Sequence, residues 1–201
     1  MIKALLLLVR PVQTWDGIDR SARSIAYILC LHLLPLIILT SIAEGYGCAG
    51  LNPTSYGIIT QELERGDSGM RSTVSVQGSL VMFPIYKFGS EAQKLKYLPK
   101  LTSGKMLGCF GLTEPNHGSN PGGMESRIVD KGDYYELTGA KMWISNSPLA
   151  DVAVVWAKNE EGRIHGLIVE RGMEGFERGR RLKKMGLDAQ DTAELFFNNV
   201  K

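Results

Sequence analysis

The apolar period of the chain changes once, near Gly108, and that change restricts the fold more than any other feature. Before it, residues 54–65 (TSYGIITQELER) place Tyr56, Ile59 and Leu63 at spacings of three and four, the repeat of a helix face. A Gly-Asp-Ser-Gly break at 66–69 precedes a second apolar segment, residues 71–86, which Pro84 is expected to interrupt. Ser90 and Gln93 form a capping-box pattern ahead of EAQKLKYL, and Pro99 is expected to end that helix soon after. Residues 54–103 therefore read as mostly helical.

After Gly108 the runs become short and turn-bounded. Residues 127–129 and 134–138 flank Asp130-Lys131-Gly132-Asp133, a hairpin turn. DVAVVWA at 151–157, IHGLIVE at 164–170 and TAELFF at 192–197 read as further strands of an antiparallel β domain. A helical block followed by a strand block is α+β architecture, with the boundary near residue 105.

Composition narrows the function classes. The 201 residues are 44% hydrophobic, enough to fill a core, and 23 basic against 21 acidic residues give a net charge of +2. The basic residues form no long run, which argues against nucleic acid as a partner. The three cysteines, Cys30, Cys48 and Cys109, are odd in number and lack CxxC spacing. They point to reduced thiols rather than a disulfide framework or a zinc site, and no metal ligand set is expected.

The beginning of the chain differs from the rest. Residues 24–43 (SIAYILCLHLLPLIILTSIA) form an uncharged run of 20, long enough for a bilayer span, with Arg20 and Arg23 just before it. His32 and Pro35 within the run argue against a span. A signal peptide fits poorly, because the run starts late and shows no small-residue cleavage site. Lys3 and Arg10 without an acid in the first fifteen residues give a faint transit-peptide character. An origin by gene fusion or a misread exon boundary stays open.

Two stretches carry candidate chemistry. In CFGLTEPNHGSN (109–120) a strand end runs into a polar loop. It offers backbone N–H groups and the Thr113 and Ser119 hydroxyls to an acceptor-rich ligand such as a flavin ring. In KMWISN (141–146), Trp143 can stack on an aromatic ligand while Ser145 bonds its edge. Read alone, the first stretch better suits an ordinary turn and the second a core tryptophan. GxGxxG after a strand, the P-loop, HExxH and GxSxG are all missing, so a Rossmann dehydrogenase is not expected.

Taken together and in this order, CFGLTEPNHGSN and KMWISNSPLAD resemble the flavin motifs of the acyl-CoA dehydrogenase family. The resemblance implies FAD as cofactor, lined by Phe110, Gly111, Leu112, Thr113, Gly118, Ser119, Trp143, Ile144 and Ser145. Asn120 stands where the family usually has Asp, His117 where it has a small residue, and Ser145 where it has Thr. Over residues 45–163 the likeness is strongest to the glutaryl-CoA dehydrogenase branch, through GYGCAG, ELERGDSGMRSTVSVQGSLVMFPIYKFGSE and KYLPKLTSGKMLGCFGLTEPN. That branch implies Arg71 and Ser72 as the pair binding the far carboxylate of glutaryl-CoA, with Ser119 near the acyl-CoA. A guanidinium suits a carboxylate, although without the resemblance a surface pairing of Arg71 with Glu64 or Asp67 is the favoured reading. Residues 165–201 resemble the long-chain acyl-CoA dehydrogenase pattern instead, which suggests a mosaic.

The expected fold is thus a partial N-terminal helical domain at 45–105, a β-barrel-like middle domain at 106–201, and an unmatched apolar segment at 1–44. The expected reaction is α-proton removal with hydride transfer to flavin and, for glutaryl-CoA, decarboxylation to crotonyl-CoA. The family's base is a glutamate of a C-terminal four-helix domain, which this sequence does not contain. The chain therefore reads as a truncated form in which no catalytic residue is identifiable. Glu62, Glu64 and Glu114 have no spacing that suits the role. The resemblance further implies an electron-transfer flavoprotein as partner and homo-oligomers of a full-length form. The location would be the mitochondrial matrix in a eukaryote or the cytoplasm in a bacterium. A non-catalytic relative and a membrane-anchored fragment are the alternatives.

Overall fold

The computed structural model describes residues 45–48 and 50–201. The expectations for the apolar run at 24–43 and for Cys30 lie outside these residues. Among the described residues, no helix is long and apolar enough to cross a membrane. The chain divides into two compact units, one comprising the residues to Lys105 with Lys184–Gln190, the other Met106–Lys183 with Asp191–Lys201.

In the first unit α1 is Pro53–Gly66, α2 is Ser68–Ser75, α3 is Phe83–Phe88 and α4 is Glu91–Thr102. Asn52 starts α1 by accepting from the Ser55 N–H at 2.9 Å, with Pro53 at the first helical position. Asp67 both ends α1 and caps α2, its carboxylate accepting from the amides of Gly69 and Met70. The expected interruption at Pro84 is absent. A π-helical stretch, Val76–Met82, joins α2 to α3 without a break. There the Phe83 N–H reaches back to the Gly78 carbonyl, and this widened register ahead of Pro84 loosens the turn that a proline ring would otherwise crowd. Pro99 sits in the last turn of α4, which ends soon after it at Thr102, as expected. The Ser90–Gln93 capping box is present in both directions, at 3.3 and 2.8 Å. Leu63, Val74, Val81, Met82, Ile85, Leu98 and Leu101 are among the buried apolar residues of these helices.

The second unit is one seven-stranded sheet: β1 Gly108–Gly111, β2 Arg127–Asp130, β3 Tyr135–Ser145, β4 Val152–Lys158, β5 Ile164–Glu170, β6 Phe176–Arg178 and β7 Thr192–Val200. Most pairings are antiparallel, but β1 runs parallel to β4, and β2 meets the end of β4 in the same sense. The β2–β3 hairpin turns where the sequence places it, with Asp130 accepting from the Gly132 N–H and Gly132 at φ +87°. Its core includes Cys109, Ile128, Leu137, Ile144, Val155, Leu195 and Phe197. The two described cysteines, Cys48 and Cys109, are free and buried, and burial pushes the Cys109 thiol up to about 12.

Candidate functional site

Strand β3 decides the geometry. Its alternation turns Leu137 and Lys141 inward, and simple continuation would turn Ile144 outward. Between Lys141, opposite Leu195, and Ile144, opposite Ala193, β3 carries one residue more than β7. This β-bulge resets the alternation, so Lys141 and Ile144 both enter the interior while Trp143 is pushed out. Trp143 adopts φ +62° and stays 58% exposed. A left-handed backbone at a bulky, outward-facing aromatic residue is a strained arrangement that packing alone does not call for.

The loop that follows β1 is laid against this bulge. The Met142 N–H, freed from the ladder, donates to the Thr113 carbonyl at 2.8 Å. Lys141 Nζ passes beneath and donates to the Leu112 carbonyl at 3.2 Å and to Glu114 Oε1 at 2.8 Å. The carboxylate also accepts from the backbone amides of Glu125 at 2.5 Å and Ser126 at 2.9 Å. Burial by itself raises the Glu114 carboxyl, but the bonds from Lys141, Ser126 and Glu125 outweigh it and bring it down to about 2. For Lys141, burial is the larger influence and lowers the ammonium despite its partner. Lys141 is 0% exposed and Glu114 4% exposed.

The outer part of the loop is open. Gly118, Ser119 and Asn120 are exposed, and Thr113 is half-buried. His117 exchanges backbone hydrogen bonds with Glu114, and its Nε2 lies 3.4 Å from Glu125 Oε1. Phe110 points away from the core and packs edge-on against Trp156 with ring centroids 6.0 Å apart. Ser145, one position beyond Ile144, returns to the face of Trp143.

Seven of the nine residues expected to line a flavin thus project from the loop, the bulge or the outward side of β1. Ile144 and Gly111 are placed differently from these seven. Ile144 is 3% exposed within the β core, because the bulge turns it inward, and only its backbone can face a ligand. Gly111 also faces inward: a Cβ there would stand 3.3 Å from Lys141 Cγ, so glycine makes room for the lysine stem.

Arg71 and Ser72 lie on α2 in the helical unit. Arg71 Nε is bonded to Glu64 Oε2 at 2.6 Å, the pairing the sequence left open. Ser72 Oγ accepts from Gln190 Nε2 at 2.7 Å. Glu62 is paired with Arg65, and Glu64 also accepts from Ser68. Among the described residues no group of three or more His, Cys, Asp or Glu side chains is placed to hold a metal. Sequence reasoning missed the Glu114–Lys141 pair and the Gln190–Ser72 bond. The one available signal was a lysine at an inward position of a strand.

The profile described as "Acyl-CoA dehydrogenase, middle domain" matches residues 109–200, and "Acyl-CoA dehydrogenase, N-terminal domain" matches residues 37–105. The chain belongs to the acyl-CoA dehydrogenase family. It is 38% identical over 169 residues to a glutaryl-CoA dehydrogenase of Desulfococcus multivorans, covering 81% of this chain and 43% of that protein. It is 36% identical over 162 residues to the mitochondrial isovaleryl-CoA dehydrogenase of Pongo abelii, covering 78% of this chain and 38% of that protein. The chain therefore spans about two-fifths of the length of these relatives. A crystal structure of a Mycobacterium smegmatis glutaryl-CoA dehydrogenase in complex with FADH2 superimposes with a TM-score of 0.85 at 44% identity, covering 98% of this chain and 52% of that one.

Proposed function

We propose that this chain is the helical and β portion of an FAD-dependent acyl-CoA dehydrogenase that acts on a CoA thioester bearing a second carboxylate, of the glutaryl-CoA kind. The observation that carries the cofactor is Trp143, a tryptophan held outward in a left-handed conformation beside a polar loop. An exposed indole with hydroxyls nearby suits a flat, largely apolar ring with hydrogen-bonding edges. Phe110, Leu112, Thr113, Gly118, Ser119, Trp143 and Ser145 would hold it, with Gly111 and Ile144 contributing backbone. FAD bound there would supply the acceptor for a hydride leaving the acyl β carbon. Thr113, Ser119 and Ser145 provide hydroxyl donors, and Trp143 shields one side from water.

Arg71 and Ser72 would receive the far carboxylate. Arg71 commits only Nε to Glu64, so its Nη1 and Nη2 ends are not used in that bond. The same ion pair also favours a second reading, an acyl-CoA without a far carboxylate, since the guanidinium already has an anionic partner. Glu62, Glu64 and Glu114 are all engaged, and none is proposed as the base. Electrons would pass on to an electron-transfer flavoprotein.

Titration of the purified 201-residue chain with FAD is expected to give weak, saturable binding that Trp143→Ala abolishes, with little turnover of glutaryl-CoA. Absence of binding at millimolar FAD sinks the cofactor reading. Robust reduction of bound FAD by glutaryl-CoA would show that a base is present after all. Equal affinity for glutaryl-CoA and butyryl-CoA, unchanged by Arg71→Gln, would favour the second reading.

A further inference from the structure

We propose that Glu114 and Lys141 are positioning residues for the cofactor site, a buried latch that holds the loop at 112–120 onto the bulge of β3. The proposal rests on the flavin reading and goes one step below it, to what fixes the two walls against each other. One lysine, Lys141, binds the loop twice, at the Leu112 carbonyl and at Glu114 Oε1. One carboxylate, Glu114, gathers the far end of the loop through the amides of Glu125 and Ser126. Between these anchors the Thr113 carbonyl takes the N–H of Met142, the residue beside Trp143. The position of Thr113 and the conformation of Trp143 are therefore set by one cluster of hydrogen bonds.

A pair buried this deeply is not needed for packing. Apolar residues of similar size stabilise a core equally well or better, whereas removing one partner leaves a costly orphan charge. The pair specifies geometry instead. Gly111 fits the same account, since any side chain there would press on the lysine stem. Glu114, acidic and beside the candidate flavin residues, is thereby given a role other than proton abstraction.

The test is the double variant Glu114→Gln/Lys141→Met, which removes the latch without leaving a charge unpaired. It should melt cooperatively, close to the parent. Exchange of the Met142 amide should speed up at least about tenfold, and the FAD dissociation constant should rise at least about tenfold. The near-UV dichroism of Trp143, isolated by subtracting Trp143→Phe, should collapse, a change that a merely structural pair would not produce in a protein that still melts normally. If the double variant melts without cooperativity, Glu114→Gln/Lys141→Leu, which also leaves no charge unpaired, is read in the same way. A cooperatively folded variant with FAD affinity and Met142 exchange within about twofold of the parent overturns the latch. Failure of the parent itself to bind FAD overturns the cofactor reading and this role with it, so the two failures are distinguishable.

Discussion

At the residue scale the site depends on side chains placed against their usual preferences. Trp143 holds a left-handed backbone that costs on the order of 1–3 kcal/mol for a non-glycine residue. Trp143→Gly should leave the melting temperature unchanged or raise it, while FAD binding falls below detection; thermal melts beside flavin titrations check this. A clear drop in melting temperature would mean that the indole serves the fold instead. Glu114 gives a second prediction. Its folded carboxyl titrates near 2 against 4.5 for the free group. The stability it contributes is present above about pH 4.5 and lost as pH falls towards 2, on the order of 3 kcal/mol in all. Lys141 acts in the same sense at the alkaline end, since a lowered folded ammonium makes stability rise with pH. Denaturant unfolding at a series of pH values should show a steep acid limb that flattens in Glu114→Gln, a variant less stable than the parent above about pH 4.5 that approaches it as pH falls towards 2. An equally steep limb in the variant would place the acid sensitivity elsewhere. The sequence showed Trp143 and the polar loop plainly. It could not show the latch, because a lone Lys and a lone Glu in a charged-residue background carry no spacing that pairs them.

At the scale of elements, signals with local hydrogen-bond chemistry were legible, and those depending on register were not. The capping box at Ser90 and the turn at 130–133 are closed by residues within three or four positions of one another. Ser90→Ala should accordingly cost about 1 kcal/mol, read as a lower denaturant midpoint for the helical unit. No shift would indicate that the Gln93 side chain alone satisfies that helix end. Pro84 misled, whereas the helix holding Pro99 ends soon after it, as expected. Proline removes a donor and crowds the preceding turn, but a π-helical register ahead of Pro84 accommodates it, and Pro99 has only three residues of helix beyond it. The bulge in β3 was equally hidden, because KMWIS has no glycine to mark it, and the extra residue is visible only against Leu195 and Ala193 of β7. The short β6, three residues long, offers too little alternation to recognise.

At the scale of the whole molecule, the order of helices then strands was legible because each block keeps one period. The return of Lys184–Gln190 to the helical unit was not. It rests on contacts between residues far apart in sequence: Gln190, 3% exposed, donates to Ser72, 118 positions away. No periodicity encodes such a contact. It has a functional side, because Ser72 is one of the two residues proposed to receive a substrate carboxylate, and as acceptor to Gln190 it keeps its own hydroxyl proton to donate. Gln190→Leu removes that bond while keeping a side chain of similar size. Loss of one net hydrogen bond, about 1 kcal/mol, should raise the open population of the segment about fivefold. Trypsin reports this directly, since Arg180, Arg181 and Lys183 are exposed just before the segment. Cleavage there should accelerate by about that factor while strands β1 to β5 keep their amide protection. Unchanged cleavage would show that the segment is held by its own turn, through the Gln190 N–H to the Leu187 carbonyl, and that Ser72 is positioned without it.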